Sequence, residues 1–255
     1  MNGKKVGWGC LVACLLVGIF LAVISGIIYF MLASRLPAER PAKFSFEINE
    51  GGGMNDESMS YSIQNGHVTY EDEYESSELT AEFDFTDAEL DYLWQLLRVE
   101  RFDRIREHDG GDVYDRGGTS QHLSFGDESI DLSDSGSSFI DGDSAKRFYA
   151  IEDAVIALAK PYIDEQKQAI TVRISDELLS KVDYVQLNDQ IIYETGEDEE
   201  LPAHISVLPG DYVLAIATIL PPPINYDYQR LTLTVTANAT VLIGGTVDAI
   251  TVTEE

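Results

Sequence analysis

The pattern of apolar and polar positions divides the chain into three textures. From Val6 to Ser34 the sequence runs without a charged residue; as a helix those roughly 29 positions reach beyond the ~30 Å apolar core of a bilayer. This predicts a single transmembrane helix, held in the membrane through residues 6–34 after a short tail. From Phe44 to Lys160 strand-like and helix-like periods alternate. Phe44, Phe46 and Ile48 alternate as on a half-buried strand, and Asn65-Gly66 between Met59–Gln64 and His67–Tyr74 marks a hairpin, because both turn positions need positive φ. Leu79, Ala81, Phe83 and Phe85 alternate again. Thr86 with Glu89 three residues on forms a capping box, and Leu90, Leu93, Trp94 and Leu97 fall on one helical face. A second hairpin turns at Gly126-Asp127. A second helix begins near Asp143 or Ser144, buries Phe148, Ile151, Val155 and Leu158, and ends before Pro161. Strands, helix, strands, helix predict an α+β domain, an antiparallel sheet with two helices on one face.

From Ala169 the helical period vanishes. Short β-rich runs follow one another, separated by Asn188-Asp189, Pro209-Gly210, Pro221-Pro222-Pro223, Asn238 and Gly244-Gly245. Strands at this spacing predict an all-β, immunoglobulin-like sandwich. The expected organisation is therefore a tail and anchor over 1–35, a Pro-bearing tether over 36–43, the α+β domain over 44–160, a linker over 161–168 and the sandwich over 169–255. The segment Val207-Leu208-Pro209-Gly210-Asp211-Tyr212-Val213-Leu214 resembles the Pro-Gly-x-Tyr hairpin of PEGA-like and carboxypeptidase-regulatory-like β-sandwich modules. That resemblance implies an adhesive or spacer role and carries no functional residue across. The N-terminal half resembles only uncharacterised bacterial envelope proteins.

Charge narrows the function. Lys and Arg number 17 against 45 Asp and Glu, a formal charge of −28, which repels nucleic acid and anionic membrane surfaces and attracts cations and basic proteins. Both cysteines, Cys10 and Cys14, lie in the apolar run, so the rest of the chain has no disulfide or thiolate metal site. Cys14 also closes a lipobox-like Leu11-Val12-Ala13-Cys14, but the apolar run continues well past it, and an uncleaved anchor is the better reading. Basic residues nearly tie across the span, and the short tail ahead of it favours an extracytoplasmic body.

Chemistry-bearing patterns are sparse. Asp115, Arg116 and Thr119 stand in a Gly-rich turn before a strand, and Asp134, Ser135 and Ser137 in an acidic Gly/Ser loop; these six are the candidate ligand-binding residues. Turn chemistry explains the first group as well, and neither has the Walker spacing. Read from Asp131, the acidic loop would need a glutamate where Gly142 stands, so calcium is the weaker reading. His67, His108, His122 and His204 lack metal-ligand spacing, and no nucleophile elbow is present. The expectation is a non-enzymatic, membrane-anchored interaction or structural module of the bacterial cell envelope that meets a protein partner and needs no cofactor. The alternative is a ligand- or cation-binding sensor using the acidic loops.

Overall fold

The structure is a computed structural model that describes residues 34–52, 57–75, 77–110, 117–188, 190–196, 201–219 and 226–254. The N-terminal half begins with the strands β1 (Phe44–Gly51), β2 (Ser58–Gln64), β3 (His67–Tyr74) and β4 (Ser77–Asp84). Helix α1 (Asp87–Val99), a 3-10 turn (Phe102–Arg104) and the short β5 (Glu107–Asp109) come next, then β6 (Gly118–Phe125), β7 (Glu128–Asp134), β8 (Ser138–Ile140) and helix α2 (Gly142–Gln166). The C-terminal half holds β9 (Gln168–Ile174), the one-turn α3 (Asp176–Leu179), β10 (Val182–Leu187), β11 (Gln190–Glu194), β12 (Ala203–Val207), β13 (Gly210–Ile219), β14 (Tyr226–Val235), β15 (Ala239–Thr246) and β16 (Ala249–Glu254).

Local signals act as chemistry requires. Asn65 and Gly66 take φ of 54° and 103°, the conformation the β2–β3 hairpin needs. Thr86 caps α1, its Oγ1 accepting from Glu89 N at 3.3 Å while Glu89 Oε2 accepts from Thr86 N at 2.7 Å. Leu90, Leu93, Trp94 and Leu97 are buried on one stripe of α1. Trp94 meets Phe44 and Phe125 edge-on, with centroids 5.4 and 5.8 Å away. Residues 36–43 are not a free tether: Leu36 is buried, the carbonyl of Pro37 accepts from Trp94 Nε1 at 3.1 Å, and Arg40 pairs with Asp87 and Asp91 on α1.

Three expectations are corrected. First, α2 does not stop before Pro161 but runs through it to Gln166. An interior proline costs a helix roughly 3 kcal/mol, yet the turns beyond it bury Ile163, stack Tyr162 on Phe83 at 5.0 Å and let the Tyr162 hydroxyl donate to Glu89 Oε2 at 2.9 Å. Tertiary contact overrides the local breaker, and the segment expected as a linker is helix almost to the start of β9.

Second, the architecture is not an α+β domain followed by a separate immunoglobulin-like sandwich. The protein is mostly β, and a curled ten-stranded sheet runs through both halves in the order β11-β10-β13-β4-β3-β2-β1-β6-β7, with β14 also on β13. A second sheet, β12-β9-β15-β16, completes a sandwich-like C-terminal half, with β9 and β15 parallel. The halves join where Gly210 pairs with Leu79. Gly210 has φ of 152°, which residues with a side chain rarely adopt, and a Cβ there would lie 2.6 Å from Leu79 Cδ2, so a larger residue would strain the backbone and displace the Leu79 side chain. Beside it lies a buried polar clasp. Asn188 Nδ2 donates to Ser77 Oγ at 3.1 Å, Ser77 Oγ donates to the carbonyl of Asp211 at 2.5 Å, and Asn188 Oδ1 accepts from Val213 N at 2.8 Å. The hydroxyl of Tyr212 donates to the carbonyl of Leu208 at 2.7 Å, as tyrosines do at sandwich corners.

Third, among the described residues no helix is long and apolar enough to cross a membrane. The longest, α2, carries Lys146, Arg147, Glu152, Asp153, Lys160 and Asp164 along its length, charges that a bilayer core penalises heavily. The single transmembrane helix, single-pass localisation and extracytoplasmic orientation read from residues 6–34 are therefore unsupported. Residues 6–33 lie outside the described residues.

Candidate functional site

The register of the N-terminal sheet places its inward-facing side chains in rows. One row crosses β4, β3, β2, β1, β6 and β7 as Ala81, Tyr70, Tyr61, Ile48, Gln121 and Leu132; the next, nearer the sheet's end, reads Leu79, Asp72, Met59, Glu50, Thr119 and Asp134. The core ends between these rows. Gln121 is the one non-aromatic polar side chain in the first, while four of the six in the second are polar, Thr119 and Asp134 buried there against α2 and Glu50 exposed.

Helix α2 brings a further carboxylate to this boundary. Glu152 is 8% exposed, and its Oε2 makes no hydrogen bond to the described residues; nor does Oε1 of Gln121, which is 1% exposed. The Gln121 side chain is held by donating Nε2 to the carbonyl of Phe148 at 3.0 Å. Burial first, then the neighbouring Glu50 and Asp153, push the Glu152 carboxyl up to about 7, against the opposing pull of hydrogen bonding from Thr119 and Gln121. The phenols respond alike. Burial, with Asp72, Glu50 and Glu152 adding, pushes Tyr61 up to about 12, and Tyr70 and Tyr212 are raised further by burial and Asp72. All three remain neutral donors at physiological pH, Tyr70 donating to Asp72 Oδ2 at 3.3 Å.

Outside this boundary opens a cleft of about 430 Å³, walled by Glu50, Glu57, Asp72 and Glu73, with Met59, Tyr74 and Asn188 and the backbones of Gly51, Gly52, Gly117 and Gly118. Every charged side chain among its described lining is a carboxylate. The arrangement suits a cationic group, whose charge the four acids stabilise while Tyr74 and Met59 offer apolar contact. It does not suit a tightly held metal: among the described residues no group of three or more His, Cys, Asp or Glu is placed to hold one.

The sequence-derived candidates fall differently. Asp115 and Arg116 lie outside the described residues. Thr119 and Asp134 are brought together as a directly opposed pair on β6 and β7, both buried. Thr119 borders Glu152. Asp134 is a structural acceptor, taking the Tyr149 hydroxyl and, at 3.4 Å, the amide of Ile140. Ser135 and Ser137 build the β7–β8 turn: Ser135 N donates to the carbonyl of Ser138 at 2.7 Å, and the Ser137 carbonyl accepts from Gly110 N at 3.1 Å. Ser135 also lies against Gly118, the residue before Thr119, where an added Cβ would come within 2.9 Å of its Cβ. The histidines sit in exposed pairs, His67 with Asp84 at 3.0 Å and His122 with Asp131, both across neighbouring strands. Glu50, Asp72 and Glu152 were missed by sequence reading. In a chain with 45 acids nothing local marks them; only the strand period, carried one step past Ile48 of β1 and Tyr70 of β3, points to Glu50 and Asp72.

Compared with models of known protein families and with curated proteins, the chain matches none.

Proposed function

We propose that this protein is a non-enzymatic binding module whose acidic cleft takes a cationic group of a protein partner, a lysine or arginine side chain presented on a basic segment. The observation that carries the reading is the charge of the cleft: Glu50, Glu57, Asp72 and Glu73 without a described basic residue among them, in a chain of net charge −28 that steers basic partners toward it. The C-terminal strands serve as its scaffold and spacer, the role implied by their likeness to PEGA-like and carboxypeptidase-regulatory-like modules.

Calorimetric titration of the full chain with hexalysine tests this. The Glu50→Gln/Asp72→Asn double variant should bind about tenfold more weakly, the loss expected for one or two charge-assisted hydrogen bonds. A charge-matched control, Asp176→Asn/Glu177→Gln on the exposed α3, should change little. Equal losses in both would show that hexalysine reads only net charge, and the cleft would have no special role. A thermal upshift with calcium that exceeds magnesium, and that the double variant loses, would instead favour the cation sensor.

A further inference from the structure

The cations of this chain are few, and they are not spread evenly. Of 17 Lys and Arg, five line one cleft of about 670 Å³ on the N-terminal half: Arg101, Arg104, Arg106, Lys146 and Arg147. Val99 gives the cleft an apolar wall, and Asp143 is the one acid in its described lining. Five like charges placed together repel one another, and structural contacts account for only three of them, Arg104, Lys146 and Arg147.

Each cation has an identifiable state. Arg147 is committed to structure: it donates to the carbonyls of Glu100 at 2.9 Å and of Arg101 and Arg104 at 3.4 Å, tying the end of α1 to the start of α2. Arg104 Nε lies 3.7 Å from Asp103, and Lys146 Nζ 3.2 Å from Asp143 Oδ1, which neutralises the one acid. The guanidinium groups of Arg101 and Arg106 make no hydrogen bond or ion pair with the described residues. Arg101 also holds φ 50° and ψ 58°, the left-handed conformation in which glycine is the ordinary helix-ending residue. An arginine kept there, at a cost in backbone strain, places its side chain on the cleft.

A second feature is independent of the side-chain charges. The first turn of α2 lines the same cleft through Asp143 and Ser144, and this 25-residue helix has no side-chain cap: Asp141 stands at the capping position but makes no capping hydrogen bond, its carboxylate lying 3.4 Å from His108 Nε2 instead. The orphan amides of that turn and the positive end of the helix dipole therefore add to the arginines. The chain's many acids act over a distance comparable to the ~10 Å screening length at moderate salt, so the local cluster dominates inside the cleft.

We propose that this cleft binds a phosphate group, with Arg101 and Arg106 as its guanidinium clamp and the first turn of α2 as its amide contact. Phosphate fits better than a single carboxylate because its several oxygens occupy two forks and the helix end together. A soluble phosphorylated ligand and a phospholipid headgroup present the same chemistry, and the test separates them. Inorganic phosphate is titrated into the full chain at constant ionic strength, and sedimentation with phosphatidylcholine vesicles is compared with and without phosphatidic acid. Saturable phosphate binding, weakened about tenfold or more in Arg101→Gln/Arg106→Gln, supports the site with a soluble source. A phosphatidic-acid-dependent increment that the same variant loses supports it with a lipid source. Neither effect, or effects that the double variant leaves unchanged, overturns the proposal. Arg106→Gln alone, at an exposed position, serves if the double variant unfolds early. Glu50→Gln in the acidic cleft should alter none of these readings, so this proposal and the preceding one fail separately.

Discussion

Glu152 shows how one side chain on an ordinary helical stripe acquires a charge problem. The spacing Phe148, Ile151, Val155, Ala159 marks the buried face of α2, and Glu152 falls on it beside Ile151, where a carboxylate must lose water next to Glu50. Its folded-state value near 7 lies above the ordinary 4.5. The folded protein thus holds this proton more tightly than the unfolded chain, and the stability so gained is complete at acid pH and lost as pH rises through about 7. Glu152→Gln should remove that loss. The urea midpoint of the variant should fall less between pH 5 and pH 8 than that of the parent, by the equivalent of roughly 2 kcal/mol. An unchanged slope would mean that Glu152 is solvated and that its orphan oxygen is met by water.

At the scale of elements, α2 is where local preference and packing disagree. Pro161 removes a backbone donor and crowds the preceding turn, and the helix continues because Tyr162, Ile163 and Gln166 each find a place on β4 or in the core, Gln166 Nε2 donating to the Glu82 carbonyl at 3.1 Å. Burial of a side chain such as Ile163 contributes about 1.5–3 kcal/mol, enough to offset the proline. Pro161→Ala should therefore stabilise the protein by about 2 kcal/mol, the helical gain less the entropy that proline withholds from the unfolded chain. Chemical denaturation followed by far-UV circular dichroism measures it. In α1, by contrast, all local signals agree: the cap, the capping glutamate and the four-residue apolar stripe coincide with the observed helix, and its start and buried face were legible without tertiary information.

At the scale of the molecule, the clasp of Ser77, Asn188 and Asp211 beside Gly210 joins two sets of strands that the sequence presents as independent. We propose that the chain comprises two units, the first ending with α2 at Gln166 and the second beginning with β9 at Gln168, whose unfolding is coupled through this clasp. Asn188→Ala leaves the Val213 amide without its side-chain acceptor, at a cost of about 2 kcal/mol. Trp94 in α1 reports on the first unit and far-UV circular dichroism on both. The two transitions should coincide in the parent and separate in the variant; transitions already apart in the parent would show that the clasp transmits nothing.

What the sequence determined by itself is what depends on neighbours in the chain. The Asn65-Gly66 turn, the Thr86 capping box, the buried stripes of α1 and α2, the Gly126 hairpin and the strand-rich C-terminal half all follow from φ preferences, side-chain reach over three or four residues, and period. The acidity that makes a cationic partner the natural one is equally a property of composition. Tertiary structure decided the rest, because those features pair residues far apart. The continuous sheet rests on Leu79 meeting Gly210 and Ser77 meeting Asn188, and the acidic cleft on β1, β2 and β3 ending in one row. The basic cleft rests on the end of α1 being drawn against the start of α2 by Arg147. Asp134 reads as a loop carboxylate because sequence shows polarity, whereas only the fold shows it buried on β7 and accepting from Tyr149 and Ile140.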